Sequence, residues 1–118
     1  MADTFGASLD ERLRELDPLC VGIDPSRELL ERWGHSDNVD ALEFFARSVL
    51  DAVSGVVAAI KPQVAFFERF GSGGYRVLER LLADAREADV LVVADAKRGD
   101  FAPTNAGYAQ AWLSETSP

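Results

Sequence analysis

Five charged residues stand where three apolar segments of the sequence end. Asp24 follows the first segment, Lys61 follows the second, and Asp95, Lys97 and Asp100 come at and just after the third. Asp95 and Lys97 are two residues apart, so on an extended strand their side chains leave the same face. An ammonium group between two carboxylates favours its charged form, which suits Lys97 to stabilise a developing negative charge and to donate a proton. A Schiff-base lysine would need the opposite environment.

Each of these residues alone would be interpreted as an ordinary solvated loop residue, because charged loop residues are common and surface ion pairs contribute little to stability. Together they favour a functional site. Acids and bases alternate at the strand ends, and Asp95, Lys97 and Asp100 are closely spaced. Burying such a network for stability alone is hard to justify, since its desolvation cost is large.

Composition largely excludes several other kinds of chemistry. Cys20 is the only cysteine and His35 the only histidine. Zinc sites of cysteine and histidine, disulfide frameworks and Ser-His-Asp or Cys-His machinery within this chain therefore lack the residues that they require. Cys20 lies in an apolar run and is interpreted as a small buried residue.

The three apolar segments, residues 19–23, 56–60 and 90–94, predict buried strands. They begin about 35 residues apart with helical patterns between them, which is typical of βαβ units and a parallel sheet. The predicted fold class is therefore α/β. Ligands in such folds bind at the carboxyl ends of the strands, where the charged residues stand.

Apolar residues at helical spacing predict helices around the strands. Ser26 and Thr104 are predicted to cap the starts of two of them. Glycines at 71–74 lack the lysine and hydroxyl residue of a phosphate loop, so we interpret this segment as the start of a helix. The helical patterns cover residues 5–16 before the first strand, 29–33 and 42–53 before the second, and 75–85 before the third.

With 47% apolar and 27% charged residues, the chain has the composition of a folded globular protein. Its net charge of −8 disfavours nucleic acid and anionic membranes as partners, because the summed field repels polyanions. No apolar stretch approaches the roughly 18 residues of a membrane span, and the acidic N-terminus lacks a signal-peptide pattern. We therefore expect a cytoplasmic location.

The 118 residues are fewer than the roughly 250 that an eight-unit α/β barrel needs. Three parallel strands with an unpaired edge would also be an unusual complete protein, because such an edge invites association. We therefore interpret residues 1–118 as the truncated N-terminal portion of a single barrel domain.

Three segments carry a family resemblance. Residues 95–100 (Asp-Ala-Lys-Arg-Gly-Asp) resemble the D-x-K-x-x-D signature of the orotidine 5′-phosphate decarboxylase family. Residues 61–63 (Lys-Pro-Gln) and 66–71 (Phe-Phe-Glu-Arg-Phe-Gly) are similar to the second-strand segment of its longer bacterial branch, type 2, and residues 20–25 resemble its first strand. Related sugar-phosphate decarboxylases and synthases share the D-x-K-x-x-D pattern, but the combination is strongly specific.

The resemblance implies a partial TIM (β/α)8 barrel of about three βα units preceded by a helix. It implies decarboxylation of orotidine 5′-phosphate to UMP and CO2, the last step of de novo pyrimidine biosynthesis, without cofactor or metal. Lys61, Asp95, Lys97 and Asp100 would form the catalytic charged tetrad. In it, Lys97 would stabilise the carbanion and protonate it, while Asp95 would disfavour the substrate carboxylate and keep Lys97 charged.

The resemblance also implies a set of substrate contacts and a homodimer with shared active sites. Asp24 and Lys61 would hold the ribose hydroxyls of the nucleotide. Asp100 and Thr104 would join them from the neighbouring subunit. Phe101 stands where the family more often has isoleucine, and it would lie near the pyrimidine pocket.

The phosphate of the substrate would be held, in this barrel class, by late loops beyond the seventh strand. Binding energy from such a remote group is used to orient the reacting carbon. We therefore expect the 118-residue chain alone to bind nucleotide poorly and to show no appreciable turnover.

Three alternatives remain at the level of sequence. A magnesium-dependent sugar-phosphate decarboxylase or synthase of the same superfamily could use Asp95 and neighbouring acids to place the metal, although a cation at Lys61 suits nucleotide contacts better. A Schiff-base aldolase would use Lys61 or Lys97 as its nucleophile. A small α/β interaction module, such as a receiver-like domain, fits less well because it lacks an acidic cluster after the first strand.

Overall fold

The computed structural model describes residues 4–116 and confirms the α/β prediction. Three parallel strands form one sheet in the order β1-β2-β3. Within the described residues this sheet does not close into a barrel. No helix in the same part of the chain is both long and apolar enough to cross a membrane. The elements in chain order are α1 (Phe5–Glu15), β1 (Asp17–Ile23), α2 (Arg27–Arg32), α3 (Val39–Val53), β2 (Val57–Pro62), α4 (Ala65–Glu68), α5 (Gly71–Glu87), β3 (Leu91–Val92) and α6 (Ala102–Trp112).

The core lies between one face of the sheet and the helices that follow the strands. Ile23 and Ile60 are fully buried and join apolar residues of four helices, α2 to α5, in one cluster. β2, the central strand, is buried along residues 57–60 on both faces. The helical members of the cluster include Leu30 of α2, Leu42, Phe45 and Leu50 of α3, and Val77, Leu78 and Leu81 of α5.

The prediction that Cys20 is buried was wrong, because its side chain is exposed. Cys20 and Val21 are successive residues of β1, so their side chains point to opposite faces of the sheet. Val21 pairs with Ile60 on the face that the helices cover. Cys20 therefore points to the opposite face. Within the described residues, β1 also has a neighbouring strand on only one side.

The third strand is shorter than predicted, although the chain stays beside β2 beyond it. The Val93 N–H donates to the Ile60 carbonyl at 2.9 Å, and the Asp95 N–H donates to the Pro62 carbonyl at 3.1 Å. Asp95 and Gln63 form a parallel bridge. This continued pairing fixes where Asp95 stands relative to the end of β2.

Several helix predictions are confirmed. Ser26 caps α2, with its hydroxyl oxygen accepting the Leu29 N–H at 3.2 Å. The glycines at 71–74 form the first turn of α5. Thr104, however, does not cap a helix: α6 begins at Ala102 with Phe101 as its N-cap, and Thr104 lies inside its first turn.

We expect Gly74→Ala to lower the free energy of unfolding by about 1–3 kcal/mol through overpacking. An added Cβ would lie 1.8 Å from the Phe67 carbonyl oxygen and 2.9 Å from the Phe70 Cβ, so the backbones of α4 and α5 would have to separate. Urea denaturation measures the change. The matched control is Gly6→Ala in α1, where a Cβ meets nothing within 4 Å. Equal stabilities of the two variants would contradict this prediction.

Candidate active site

The carboxyl ends of the three strands bring the predicted charged residues to one edge of the sheet. Lys61 belongs to β2 and pairs in register with Gly22 of β1. Asp95 stands beside Gln63, two residues beyond Lys61. Because successive side chains of a strand alternate between its faces, Lys61, Gln63 and Asp95 share one face of the sheet. This face is opposite to the one that packs on the helices.

Asp95 is the centre of the cluster. Its Oδ2 atom accepts a hydrogen bond from the Lys97 ammonium and lies 3.6 Å from the Lys61 Nζ. The Lys97 Nζ is also 3.1 Å from the Asp100 Oδ2. The carboxylate side chains are 18% exposed, whereas those of Lys97 and Lys61 are 31% and 41% exposed. The ammonium groups are therefore the more accessible part of the cluster.

These contacts shift the pKa values of the central pair in opposite directions. The hydrogen bond with Asp95, helped by Asp100, raises the pKa of Lys97 above its ordinary value. The hydrogen bond from Lys97 lowers the pKa of Asp95 against the opposing effect of desolvation. Lys97 is thus held as an ammonium ion, which makes it a proton donor and a poor Schiff-base nucleophile.

Asp100 is fixed at the start of α6 by its own chain. Its Oδ1 accepts the Phe101 N–H at 2.8 Å, and its N–H donates to the Asn105 Oδ1 at 2.9 Å. The Phe101 hydrogen bond, followed by those from Lys97 and the Thr104 hydroxyl, lowers the pKa of Asp100. Thr104 is itself buried, so it holds Asp100 from the helix side.

Asp24 joins the cluster from the end of β1. Its carboxylate folds back over Gly22, where an added Cβ would meet the Asp24 Oδ2 at 2.8 Å. Desolvation of the carboxyl raises the pKa of Asp24, and the charges of Lys61 and Lys97 oppose the rise. The glycine at position 22 therefore makes room for a carboxylate next to Lys61.

The structure thus brings together most of the residues predicted from sequence. Asp24, Lys61, Asp95, Lys97 and Asp100 interact in one charged cluster, with Thr104 against Asp100. Phe101 is 87% exposed at the start of α6, and its place near a pyrimidine stays a prediction. Within residues 4–116, no group of three or more His, Cys, Asp or Glu residues is arranged to hold a metal ion.

Gln63 is a member of the site that the sequence argument did not single out. It is buried, and its Oε1 accepts a hydrogen bond from the Lys97 Nζ at 3.4 Å. The sequence does indicate that Gln63 belongs to the site, because it follows Lys61 by two residues and so lies on the same face of the strand. Gln63 helps to fix the direction of the Lys97 side chain.

Comparison with known proteins relates the chain to one family. The family model described as "Orotidine 5'-phosphate decarboxylase / HUMPS family" matches residues 17–117. A curated orotidine 5′-phosphate decarboxylase of Streptomyces coelicolor is 52% identical over 116 residues, and one of Nocardioides is 51% identical over 114 residues. These matches cover 98% and 97% of this chain but 42% of each relative, so the chain spans less than half the length of the relatives.

A solved structure gives the same relation in three dimensions. A crystal structure from Streptomyces avermitilis, described as an orotidine 5′-phosphate decarboxylase, is 54% identical with a TM-score of 0.78. The match covers 98% of this chain and 40% of that one. The fold is therefore part of a TIM barrel, in agreement with the prediction from sequence.

We expect Asp95→Asn to lower the pKa of Lys97, because the hydrogen bond from Lys97 to the Asp95 carboxylate is the largest cause of its rise. A pH titration of lysine ¹³Cε chemical shifts measures the change. Asp51→Asn, at an exposed position of α3, is the matched control. An unchanged titration of Lys97 in Asp95→Asn would contradict the geometry described above.

The signs of these shifts also predict how stability depends on pH. The pKa of Asp95 is lowered from 3.8, so its contribution is present above that value and is lost as the pH falls through the lower folded pKa. The pKa of Lys97 is raised from 10.5, so its contribution is present below that value and is lost as the pH rises through the higher folded pKa. In urea denaturation over a range of pH, the Asp95→Asn variant should lose the Asp95 dependence and keep only the part of the Lys97 dependence that Asp100 supports.

Proposed function

Because the chain belongs to the orotidine 5′-phosphate decarboxylase / HUMPS family, we propose that the protein carrying it decarboxylates orotidine 5′-phosphate to UMP and CO2. One observation supports this most directly. The Lys97 ammonium lies between the carboxylates of Asp95 and Asp100 at the carboxyl edge of a parallel sheet. This reaction would be the last step of de novo pyrimidine biosynthesis.

The chemistry requires a cation at one atom of the substrate. When the bond between C6 and the carboxylate breaks, CO2 leaves and the electron pair stays in a ring-carbon orbital that cannot delocalise into the π-system. In this proposal Lys97 stabilises that pair electrostatically and then transfers its proton to C6. The neutral amine regains a proton from water, so the site needs neither a cofactor nor a metal.

Asp95 has two roles in the proposal. It keeps Lys97 protonated, in line with the hydrogen bond that raises the lysine pKa. It also lies close to the carboxylate of the bound substrate, which disfavours the ground state. The first role carries more weight, because preorganised charge is usually the larger effect and ground-state destabilisation is contested.

The remaining site residues bind the nucleotide. Asp24 and Lys61 hold the ribose hydroxyls, which suits two groups placed next to each other at the ends of neighbouring strands. Asp100 and Thr104 complete the ribose contacts of the neighbouring subunit in a homodimer. Phe101, exposed at the start of α6, borders the pyrimidine pocket. The net charge of −8 and the small nucleotide substrate fit a cytoplasmic enzyme without nucleic-acid or membrane partners.

A magnesium-dependent sugar-phosphate decarboxylase or synthase is the second candidate. The family description spans more than one activity, although no three carboxylates within residues 4–116 are arranged to hold a metal ion. Lys61 opposes it, because an ammonium 3.6 Å from the Asp95 carboxylate adds a positive charge that would repel a divalent cation there. Assay with EDTA separates the two candidates: turnover of orotidine 5′-phosphate should persist under chelation.

We expect Lys97→Ala to reduce kcat for orotidine 5′-phosphate by about a thousandfold or more, since it removes both the charge and the proton donor. The measurement is UMP formation by a complete protein that carries this chain, obtained if necessary by joining it to the remaining residues of the Streptomyces coelicolor relative. Arg86→Ala, in the last turn of α5, is a control that should keep activity. Near-normal decarboxylation by Lys97→Ala would remove the central assignment.

Mixing two inactive variants tests the shared sites. If Asp100 serves the partner's site, dimers formed from Lys97→Ala and Asp100→Ala chains contain one intact site, and a random mixture should regain about a quarter of the parental activity. If Asp100 serves only the site of its own chain, where it lies 3.1 Å from Lys97, every site is defective and no activity returns. Each variant re-annealed alone is the control.

A further inference from the structure

Two adjacent charged residues of the 66–71 segment are buried, and the proposed chemistry uses neither. Glu68 ends α4 and is 2% exposed, and Arg69 follows it and is 5% exposed. α4 comes directly after β2, and Gly74 holds it closely against α5. The two side chains reach different loops, and each of these loops carries residues of the candidate site.

Glu68 contacts the loop that carries Lys97. Its Oε1 lies 3.0 Å from the Arg98 Nη1, and the Tyr75 hydroxyl also donates to its carboxylate. The same Arg98 Nη1 donates to the Lys97 carbonyl at 3.0 Å and to the Ala96 carbonyl at 3.3 Å. The Arg98 guanidinium therefore ties the backbone of the lysine to α4.

Arg69 contacts the loop that follows Asp24. Its Nη2 donates to the Pro25 carbonyl at 3.2 Å. Its guanidinium also forms a bidentate pair with Asp37, at 2.6 and 2.9 Å, and its Nε donates to the Phe66 carbonyl at 3.2 Å. This set of contacts fixes Arg69 in one orientation and holds the backbone beside Asp24 against α4.

Stability alone is a weak reason for burying these charges. Buried ion pairs carry a large desolvation cost, and well-packed apolar residues in their place are often as stable or more so. These charged groups instead fix the orientation of the segments that they join, because a guanidinium offers several hydrogen-bond donors in a rigid planar arrangement. In both cases a guanidinium, either that of Arg69 or that of the Arg98 paired with Glu68, donates to a backbone carbonyl at or next to a site residue.

We propose that Glu68 and Arg69 are positioning residues for the active site, Glu68 for Lys97 through Arg98, and Arg69 for Asp24 through the Pro25 carbonyl. The inference rests on the function proposed above. Because Lys97 acts on the reacting carbon and Asp24 on the ribose, the two residues should affect different kinetic constants. Loss of the Glu68 contact should lower kcat, and loss of the Arg69 contact should raise KM.

The test uses conservative variants in the complete protein. Glu68→Gln and Arg98→Gln should each lower kcat about 10-fold to 100-fold, the scale expected of a misplaced catalytic group, with KM changed by less than about threefold. Because both act through one contact, the double variant should be no worse than the worse single variant. Arg69→Lys keeps the positive charge but removes the planar guanidinium with its fixed donors. It should raise KM about 10-fold with a smaller change in kcat.

Amide hydrogen exchange gives a readout that does not depend on turnover. Asp100 and Phe101 have hydrogen-bonded amides in the lysine loop, and the Ser26 N–H, bonded to the Asp24 carbonyl at 2.8 Å, reports on the other loop. Glu68→Gln should speed exchange at the first two amides and spare Ser26, whereas Arg69→Lys should do the reverse. Glu43→Gln, which breaks the exposed pair with Arg80, is the control and should leave both loops unchanged.

The outcomes separate the inference from the function. Absence of decarboxylation by the unsubstituted complete protein would remove the function, while the exchange pattern would still test the positioning. Normal kcat, KM and loop exchange in folded Glu68→Gln and Arg98→Gln variants would overturn the positioning and leave the function standing. If Glu68→Gln does not fold, Arg98→Gln decides, because its side chain is 61% exposed and its replacement changes no core side chain.

Discussion

The attraction between the Asp95 carboxylate and two ammonium groups is the interaction on which the whole site depends. Lys61 and Lys97 come from different strand ends, and both ammonium groups contact the same Asp95 oxygen. Without that negative charge between them, the two positive charges would repel each other. Asp95 can serve both because the chain continues to pair with β2 beyond β3, up to the Gln63 bridge. The sheet thus positions the carboxylate, and the carboxylate positions the two ammonium groups.

Backbone pairing and packing supply the rest of the geometry. β2 is buried along residues 57–60, so the central strand cannot shift its register without moving every side chain to the wrong face. Its end carries Lys61 directly, and α4 follows at once with the buried residues Glu68 and Arg69. One stretch of chain therefore contributes a lysine of the site and the contacts to both neighbouring loops.

The sequence was sufficient for the fold class and for most of the site, because both follow from short-range patterns. Strand-end charges such as Asp24, Lys61 and Asp95 share an edge in any parallel sheet, and the family resemblance adds Thr104. Burial was harder to predict, since it depends on what packs against a residue. Cys20 lies in an apolar run, but within the described residues its strand has a neighbour on only one side, and its side chain is exposed. α4 was missed because four residues are too few to show a helical period.

The glycine at position 74 has a consequence for how disturbances spread through the molecule. Since no side chain separates α5 from α4 there, the two helices meet backbone to backbone. Both loops of the site are tied to α4, one by a glutamate and one by an arginine. A displacement of α5, a helix of 17 residues, would thus act on the loops that carry Asp24 and Lys97 together rather than on one at a time.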